Sequence, residues 1–418
     1  MENWNLDIVS NFDIRVSNFM AKPSLICGLD VGTQNIKILL AEKTKEKLGV
    51  FNYQEIPSSG IRRGVIIQPE VVSQILRESF LKIKKESEKI DSLYLNIGGA
   101  HLFSLPSRGA IAVSRADQRI SEEDINRVLE AAKTINLPSN REIFEVNPRE
   151  FIIDGEKGIK EPLGLKGVKL EAEVLLLVGF SPYLNNLKKA ILDARLQILD
   201  IFPSAIASAR ACLSEKQKEL GVAILDIGAG TTDLAVFEEG DLIHLAVLPI
   251  GSANITNDIA IGLKTDIEIA ERIKIEFGSC FLKNGKKKEK IKLGQEDFVF
   301  TQKQLTKIIN DRVSEIFREI NKELKKISKE KLLPAGIVLT GGGAKLPGMI
   351  ELAKKEFHLP SRIGRPKGIE ELEDDPALAT VSGLVLLGQD LEEGTGKSFF
   401  SNFDLGSKLK KFFKIFIP

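Results

Sequence analysis

Two short stretches about 200 residues apart carry nearly the same order of acid, glycine and hydroxyl residues. The first is Asp30-Val31-Gly32-Thr33-Gln34-Asn35. The second is Asp226-Ile227-Gly228-Ala229-Gly230-Thr231-Thr232-Asp233. Glycines let a backbone come close to a ligand, and the N–H groups of such tight turns suit phosphate oxygens. Gly32, Thr33, Gln34 and Asn35 in one turn, and Gly228, Ala229, Gly230, Thr231 and Thr232 in the other, would clasp a polyphosphate from both sides. An aspartate beside phosphates is repulsive unless a cation lies between them. Mg²⁺ keeps most of its waters and is commonly held by carboxylates through them. Asp30 and Asp226 are therefore the expected Mg²⁺-site residues, and either could orient an attacking water. A third turn, Gly341-Gly342-Gly343-Ala344, is assigned to the adenosine and α-phosphate side. Glu271 and Lys274, at i and i+3 on one helix face, are placed to reach the ribose and base. ATP with Mg²⁺ is the ligand this set fits. One Asp-x-Gly-Thr alone would read as a plain hairpin turn, and Glu271 with Lys274 as a solvated ion pair. The ordered set of three turns carries the signal.

The elements that must hold these turns can be read from hydrophobic pattern. Ser24 to Asp30 and Ile36 to Ala41 are apolar runs flanking the first turn, a β-hairpin. Val222 to Asp226 and Leu234 to Phe237 flank the second in the same way, an internal repeat that implies two similar halves facing each other. Ile337 to Thr340 is a strand entering the third turn. Glu70 to Ile90 reads as an amphipathic helix, Leu93 to Ile97 as a strand, and Asp266 to Phe277 and Gln304 to Ile327 as helices. Residues 104–180 read as a separate α+β module with strands at Ala110 to Val113 and Glu171 to Val178. Its helix, Ser121 to Ala132, has Asp124 placed for a capping box. Lys188 to Ala194 and Ala205 to Leu213 are further helices. Lys283 to Lys292 reads as a solvated lysine-rich loop.

Composition excludes several classes. A formal charge of +1 gives no support for a nucleic-acid binder. Cys27, Cys212 and Cys280 are too scattered for a disulfide framework or a zinc site, and read as buried free thiols in a reducing compartment. His101, His244 and His358 are equally dispersed and are given no metal. No apolar run reaches the roughly 20 residues needed to span a bilayer. The acidic N-terminus, with Glu2, Asp7 and Asp13, lacks the apolar core of a signal peptide. A cytoplasmic protein is expected.

The last residues form a different kind of pattern. Leu405, Leu409, Phe412, Phe413 and Phe416 fall on one face of a helix, while Lys408, Lys410, Lys411 and Lys414 take the flanks and the other side. That is the pattern of an interfacial helix lying on anionic lipid; a helix docked on the protein core or on a partner is the competing reading. Residues 391–404 before it read as a linker.

The three turns in this order resemble the actin/Hsp70/sugar-kinase superfamily, and within it the FtsA family of bacterial cell-division proteins. The more specific resemblance lies in Asn96 to His101, Ser107 to Arg115, Ile120 to Asn140, Pro148 to Phe151 and Glu161 to Gly167, similar to the small subdomain by which that family departs from actin. The resemblance runs from about Leu25 to Asp390 and includes the tail. It implies an α/β fold: an actin-like two-lobed ATPase core, an inserted α+β subdomain and a C-terminal amphipathic membrane helix. The implied layout is an extension at 1–23, a first-lobe core at 24–103 and 181–220, and the insertion at 104–180. A second-lobe core at 221–251 and 334–390, a smaller subdomain at 252–333, the linker at 391–404 and the helix at 405–418 complete it. It further implies membrane-bound filaments at the division site, self-association, and recruitment of other division proteins. The C-terminal tail of the tubulin-like GTPase FtsZ would be the partner, bound on 252–333 near Arg312 and Glu315. Phe202 stands where many superfamily members carry a glutamate before Pro203, so firm ATP binding with slow turnover is expected. An actin-like protein of type IV pilus assembly and a small-molecule kinase are the alternatives. The first would not be expected to carry the basic tail, and no separate catalytic base or substrate pocket is legible for the second.

Overall fold

The computed structural model describes residues 24–394 apart from 45–46, 85–89, 91, 283–287 and 294–295; at 84, 288–293 and 296–298 only the backbone is described. The extension at 1–23 and the expected membrane helix, with Leu405, Lys408, Leu409, Lys411, Phe412, Phe413, Lys414 and Phe416, lie outside the described residues.

The chain opens with β1 (Ser24–Val31), β2 (Asn35–Lys43), β3 (Leu48–Pro57) and a two-rung hairpin of β4 (Ile61–Arg62) and β5 (Val65–Ile66). Helix α1 (Pro69–Lys84) and β6 (Ser92–Ile97) follow. Then come β7 (Phe103–Ala112), α2 (Glu122–Ala132), β8 (Arg141–Ile153), β9 (Glu156–Ile159) and β10 (Lys169–Phe180). The chain returns through α3 (Ser181–Asp193), β11 (Gln197–Pro203), α4 (Ser204–Cys212) and α5 (Glu215–Leu220). The second half holds β12 (Val222–Ile227), β13 (Thr232–Glu238), β14 (Asp241–Leu248), α6 (Ser252–Leu263) and α7 (Ile267–Phe277). It closes with β15 (Lys288–Leu293), β16 (Glu296–Thr301), α8 (Gln302–Lys326), β17 (Ile337–Thr340), α9 (Met349–Phe357), β18 (Ser361–Ile363) and α10 (Ala379–Glu393).

Both halves repeat one local plan. In a five-stranded sheet ordered β11-β6-β1-β2-β3, β1 pairs antiparallel with β2 and parallel with β6. In a nine-stranded sheet ordered β18-β17-β12-β13-β14-β7-β10-β8-β9, β12 pairs antiparallel with β13 and parallel with β17. Strands β1 and β12 are buried on both faces, hence their unbroken apolar sequence. The stretch 104–180 forms its own core beneath α2, from Val128, Leu129, Phe151, Leu170, Ala172 and Leu176. Its strands continue the second-half sheet through one pair, Ala246 opposite Phe103, while Leu175 and Leu177 join the first-half core. The helix α2 has the expected capping box between Ser121 and Asp124.

Helices α4 and α10 pack together. The sequence Ser204-Ala205-Ile206-Ala207-Ser208-Ala209 is small-residue rich, and a Cβ built on Gly383 would stand 1.7 Å from the Ala207 carbonyl oxygen. Only glycine permits that backbone approach.

Three sequence readings need correction. The first helix ends at Lys84 within the described residues, and Ile90 lies outside it. The lysine-rich loop is in part a strand: Lys288–Leu293 pairs with Glu296–Thr301 as a hairpin. Its lysines obscured the alternating apolar positions Ile291 and Leu293. The linker does not begin at Leu391, because α10 runs to Glu393, whose carboxylate pairs with Lys43 at 2.9 Å.

Candidate functional site

The two repeated hairpins end in turns closed by the same bond. Gly32 N–H donates to the Asn35 carbonyl at 3.1 Å, and Gly228 N–H donates to the Thr231 carbonyl at 2.9 Å. Their registers also correspond, with Asp30 opposite Lys37 and Asp226 opposite Asp233. In charge the repeat is thus broken at one cross-strand position, a cation in the first hairpin and an acid in the second.

Between the turns lies a cavity of about 480 Å³, a size typical of small-molecule sites. It is lined by Asp30, Gly32, Thr33, Gln34 and Asn35 from the first turn, and by Asp226, Gly228, Ala229 and Thr231 from the second. Gly341, Gly342 and Gly343 line it too, as do Glu271 and Lys274. Two expected residues do not. Thr232 is fully buried, its hydroxyl donating to the Ile250 carbonyl at 2.8 Å. Gly230 is where the halves touch: a Cβ there would stand 2.8 Å from Thr33 Oγ1 and 3.0 Å from Arg63 Cα.

Each aspartate is held from outside its own hairpin. Asp30 Oδ1 accepts from Asn96 Nδ2 at 2.8 Å, and Asn96 Oδ1 accepts from Val31 N–H at 2.6 Å. Lys37 Nζ lies 3.5 Å from Asp30 Oδ2. Burial raises the Asp30 carboxyl above its ordinary value, Lys37 opposes the shift, and Asp226 adds to it. Burial alone would lower Lys37, but Asp30, Glu55 and Asp226 outweigh it and hold the ammonium above its usual range. Asp226 Oδ2 accepts from Ser208 on α4 at 2.5 Å and from Thr380 on α10 at 2.7 Å. Burial, and then Asp226 across the strand, push Asp233 up to about 8, with the Thr231 hydroxyl opposing.

Asp30 and Asp226 face one cavity without enough carboxylates to wrap an ion: among the described residues no group of three ligating side chains is close enough to hold a metal directly. That donor set fits Mg²⁺ bound through its waters and phosphate oxygens, not a stripped ion.

The third turn follows β17 as a tight 3-10 helix, Gly342–Lys345. Gly341 has φ +81°, and a Cβ there would stand 2.3 Å from Asp226 Oδ1. At the other end, Lys274 Nζ donates to Glu271 Oε2 at 2.6 Å and to Thr256 Oγ1 at 2.9 Å, fixing both ends of the i, i+3 pair. Ile255, Ile275, Leu346 and Pro347 make this end apolar. Ile275 is 72% exposed although it lines the cavity.

Sequence reasoning missed Lys37, Glu55, Asn96, Ser204, Lys345 and Thr380, all of which line the cavity. Lys37 could have been found, since a turn closed from Gly32 to Asn35 places residue 37 opposite residue 30. Asn96 and Thr380 arrive from distant elements and leave no spacing signal. Phe202 is buried against Tyr94, so its position supplies no acid. Arg312 and Glu315 are away from the cavity on α8. Arg312 grips Asp258 of α6 with Nε and Nη2 at 2.5 and 2.9 Å, and reaches Glu315 at 2.7 Å.

The three cysteines are free and buried. His101 accepts from Phe180 N–H at 3.1 Å at the root of the inserted module, and burial lowers it to about 4. His244 sits between Ser104 and Glu323 at 3.3 and 3.2 Å.

Residues 223–383 match the model of the family described as cell division protein FtsA, and residues 99–178 match that of the SHS2 domain inserted in FtsA. The cell division protein FtsA of Pseudomonas aeruginosa is 35% identical over 373 residues, covering 87% of this chain and 89% of that protein. That of Bacillus subtilis is 34% identical, covering 88% and 84%. Among solved structures, a PilM-PilN type IV pilus biogenesis complex matches with a TM-score of 0.65 at 17% identity, covering 87% of this chain and 98% of that one. MreB5 of Spiroplasma citri bound to ADP matches with a TM-score of 0.57 at 14% identity, covering 89% and 98%. These structures establish an actin-like fold.

Proposed function

The chain belongs to the FtsA family of actin-like cell-division proteins, and we propose that it is an ATP-binding membrane scaffold of the division ring. The observation that carries the nucleotide reading is the pair of like-built turns facing one cavity. The turns of Gly32 and Gly228 would hold the β- and γ-phosphates, with Asp30 and Asp226 on a hydrated Mg²⁺ between them. Lys37 supplies a fixed positive charge. Gly341 to Gly343 lie against the α-phosphate and adenosine, Glu271 and Lys274 take the ribose, and the base lies on Ile275 and Leu346. Mg²⁺, when bound, neutralises phosphate charge; the chain's own groups position the phosphates and exclude water from them. With Phe202 in place of an acid, no further carboxylate stands ready at that position to activate water, which favours slow hydrolysis.

On this reading ATP-bound protomers self-associate into filaments, and the basic amphipathic tail at Leu405–Pro418 attaches them to anionic lipid at the cytoplasmic face. A single short helix binds weakly, whereas a row of them gains affinity by multivalency. The FtsZ tail would dock on the α6–α8 surface near Arg312 and Glu315, and other division proteins would join the assembled filament. The test is co-pelleting with anionic liposomes in ATP and Mg²⁺, with and without an FtsZ C-terminal peptide. Pelleting that carries the peptide down, and that is lost on deleting Leu405–Pro418, supports the scaffold. Pelleting unchanged by the deletion rejects the anchor. Nucleotide binding with neither lipid nor peptide bound leaves the actin-like core and moves the pilus-type and kinase alternatives ahead.

A further inference from the structure

We propose that Arg63, at the tip of the β4–β5 hairpin, makes the cleft prefer a nucleoside triphosphate to the diphosphate; the proposal rests on the nucleotide reading above. The hairpin is pinned where the phosphate turns converge. Gly64 N–H donates to Thr33 Oγ1 at 2.8 Å, in the first turn, and Gly64 itself lines the cavity. The second turn closes on the same point, since a Cβ on Gly230 would stand 3.0 Å from Arg63 Cα. From behind, a Cβ on Gly64 would stand 2.8 Å from Gly99 N, so the hairpin has no room to slide away.

The residue type at the tip is unexpected for the backbone it occupies. Arg63 and Gly64 have φ of +48° and +75°. A two-residue hairpin of this kind asks for two left-handed residues, and asparagine or glycine takes the first position at less cost than arginine. Packing does not require an arginine either. Arg63 is exposed, and among the described residues neither an ion pair nor a hydrogen bond engages its guanidinium. The lysines that line the cavity are committed: Lys37 to Asp30, Lys274 to Glu271 and Lys345 to Asp375. Arg63 is an uncommitted cation, on a long stem, beside both phosphate turns. The phosphate that separates ATP from ADP is the one farthest from the base, and its oxygens suit a guanidinium fork.

Affinities for ATP and ADP, each with Mg²⁺, test this in the full chain. Arg63→Asn keeps a residue that tolerates a positive φ while removing the charge. It should weaken ATP about ten- to a hundredfold, the scale of a charged hydrogen bond, and leave ADP within about twofold. Arg63→Lys should recover most of the ATP preference, and Arg62→Asn, one residue back on β4, should change neither affinity. Equal losses for ATP and ADP in Arg63→Asn, or no loss for either, would overturn the proposal while leaving the nucleotide site intact. A wild-type chain that binds neither nucleotide overturns the nucleotide reading and this inference together.

Discussion

Gly341 and Gly342 are adjacent, both line the cavity, and the structure assigns them opposite sensitivities. A Cβ on Gly341 would stand 2.3 Å from Asp226 Oδ1 and 2.7 Å from the Ile227 carbonyl oxygen, on a backbone with φ +81°. Alanine there costs about 1–3 kcal/mol for a backbone, φ +81° with ψ +171°, that is nearly restricted to glycine. To relieve the contact Asp226 must move by roughly an ångström, far enough to lengthen its bonds from Ser208 and Thr380 beyond hydrogen-bond range. Each such bond to a charged group contributes about 1.5–3 kcal/mol. The total is on the order of 4 kcal/mol or more, which at about 1 °C per kcal/mol for a chain of this length lowers the melting temperature by about 5 °C. A Cβ on Gly342 meets nothing within 4 Å. Gly342→Ala should therefore leave the free protein as stable as wild type, or about 0.4–1 kcal/mol more so. Its methyl group would stand where the nucleotide packs, costing about 1–3 kcal/mol of binding, which is roughly five- to a hundredfold in affinity. Melting curves without ligand, and ATP titrations by calorimetry, read the two effects separately. A Gly342→Ala chain that binds ATP as wild type does would refute the placement of the third turn against the nucleotide. A Gly341→Ala chain with unchanged melting would refute the rigid seating of Asp226.

In the inserted module, Asp124 is fully buried, and burial alone would raise its carboxyl; bonds from Ser121 and Ser114 override that and hold it at about 2. Against its ordinary value of 3.8, this supplies about 2 kcal/mol, present above pH 4 and lost as the pH falls towards 2. Asp124→Asn should thus destabilise by that amount in urea unfolding at pH 7, with the gap narrowing at pH 3; a gap independent of pH would refute it. Gly383→Ala must force α10 off α4 and should cost more than about 3 kcal/mol, seen as lost amide protection in both helices; native exchange rates would contradict the close packing. Steady-state ATP turnover should stay below about 1 s⁻¹, the low end for enzymes, and a faster rate would show that Phe202 is no handicap. Chelating divalent cations should abolish ATP binding measured by calorimetry, and undiminished binding in EDTA would exclude the Asp30–Asp226 cation site.

The parts of the fold that were legible are those set by local pattern. Apolar runs on either side of Gly32 and Gly228 gave both hairpins, because strands buried on both faces must be apolar throughout. The Ser121–Asp124 spacing gave the start of α2, because a capping box is a local bond pair. What was not legible depends on chain segments meeting from far apart. Asn96 reaches Asp30, and Thr380 reaches Asp226, only after the sheets and α10 have formed. The sheet shared between the second half and the inserted module rests on one strand pair, Ala246 with Phe103, that has no sequence signature. Lysines spaced through Lys288–Leu293 concealed a strand, since a lysine-rich stretch reads as a solvated loop when only its charge is considered.

The charge around the cavity explains why a cation belongs in the functional reading. Lys37, Lys274 and Lys345 line it against Asp30, Glu55, Asp226, Asp233 and Glu271. Each lysine already faces one of these acids or Asp375, so the lining lysines leave little net positive potential for a triphosphate. A bare polyphosphate would meet Asp226 and Asp30 at short range in a medium of reduced dielectric, where like charges repel strongly. The acids show the same strain without any ligand: burial and mutual repulsion raise both Asp30 and Asp233. A divalent ion placed between the two hairpins turns the aspartate–phosphate repulsion into attraction through the metal. The repeat then acquires a reason for its one broken position. Lys37 fixes the first aspartate as an ion pair, while Asp226 and Asp233 leave the second hairpin short of positive charge. The nucleotide's own metal would supply it.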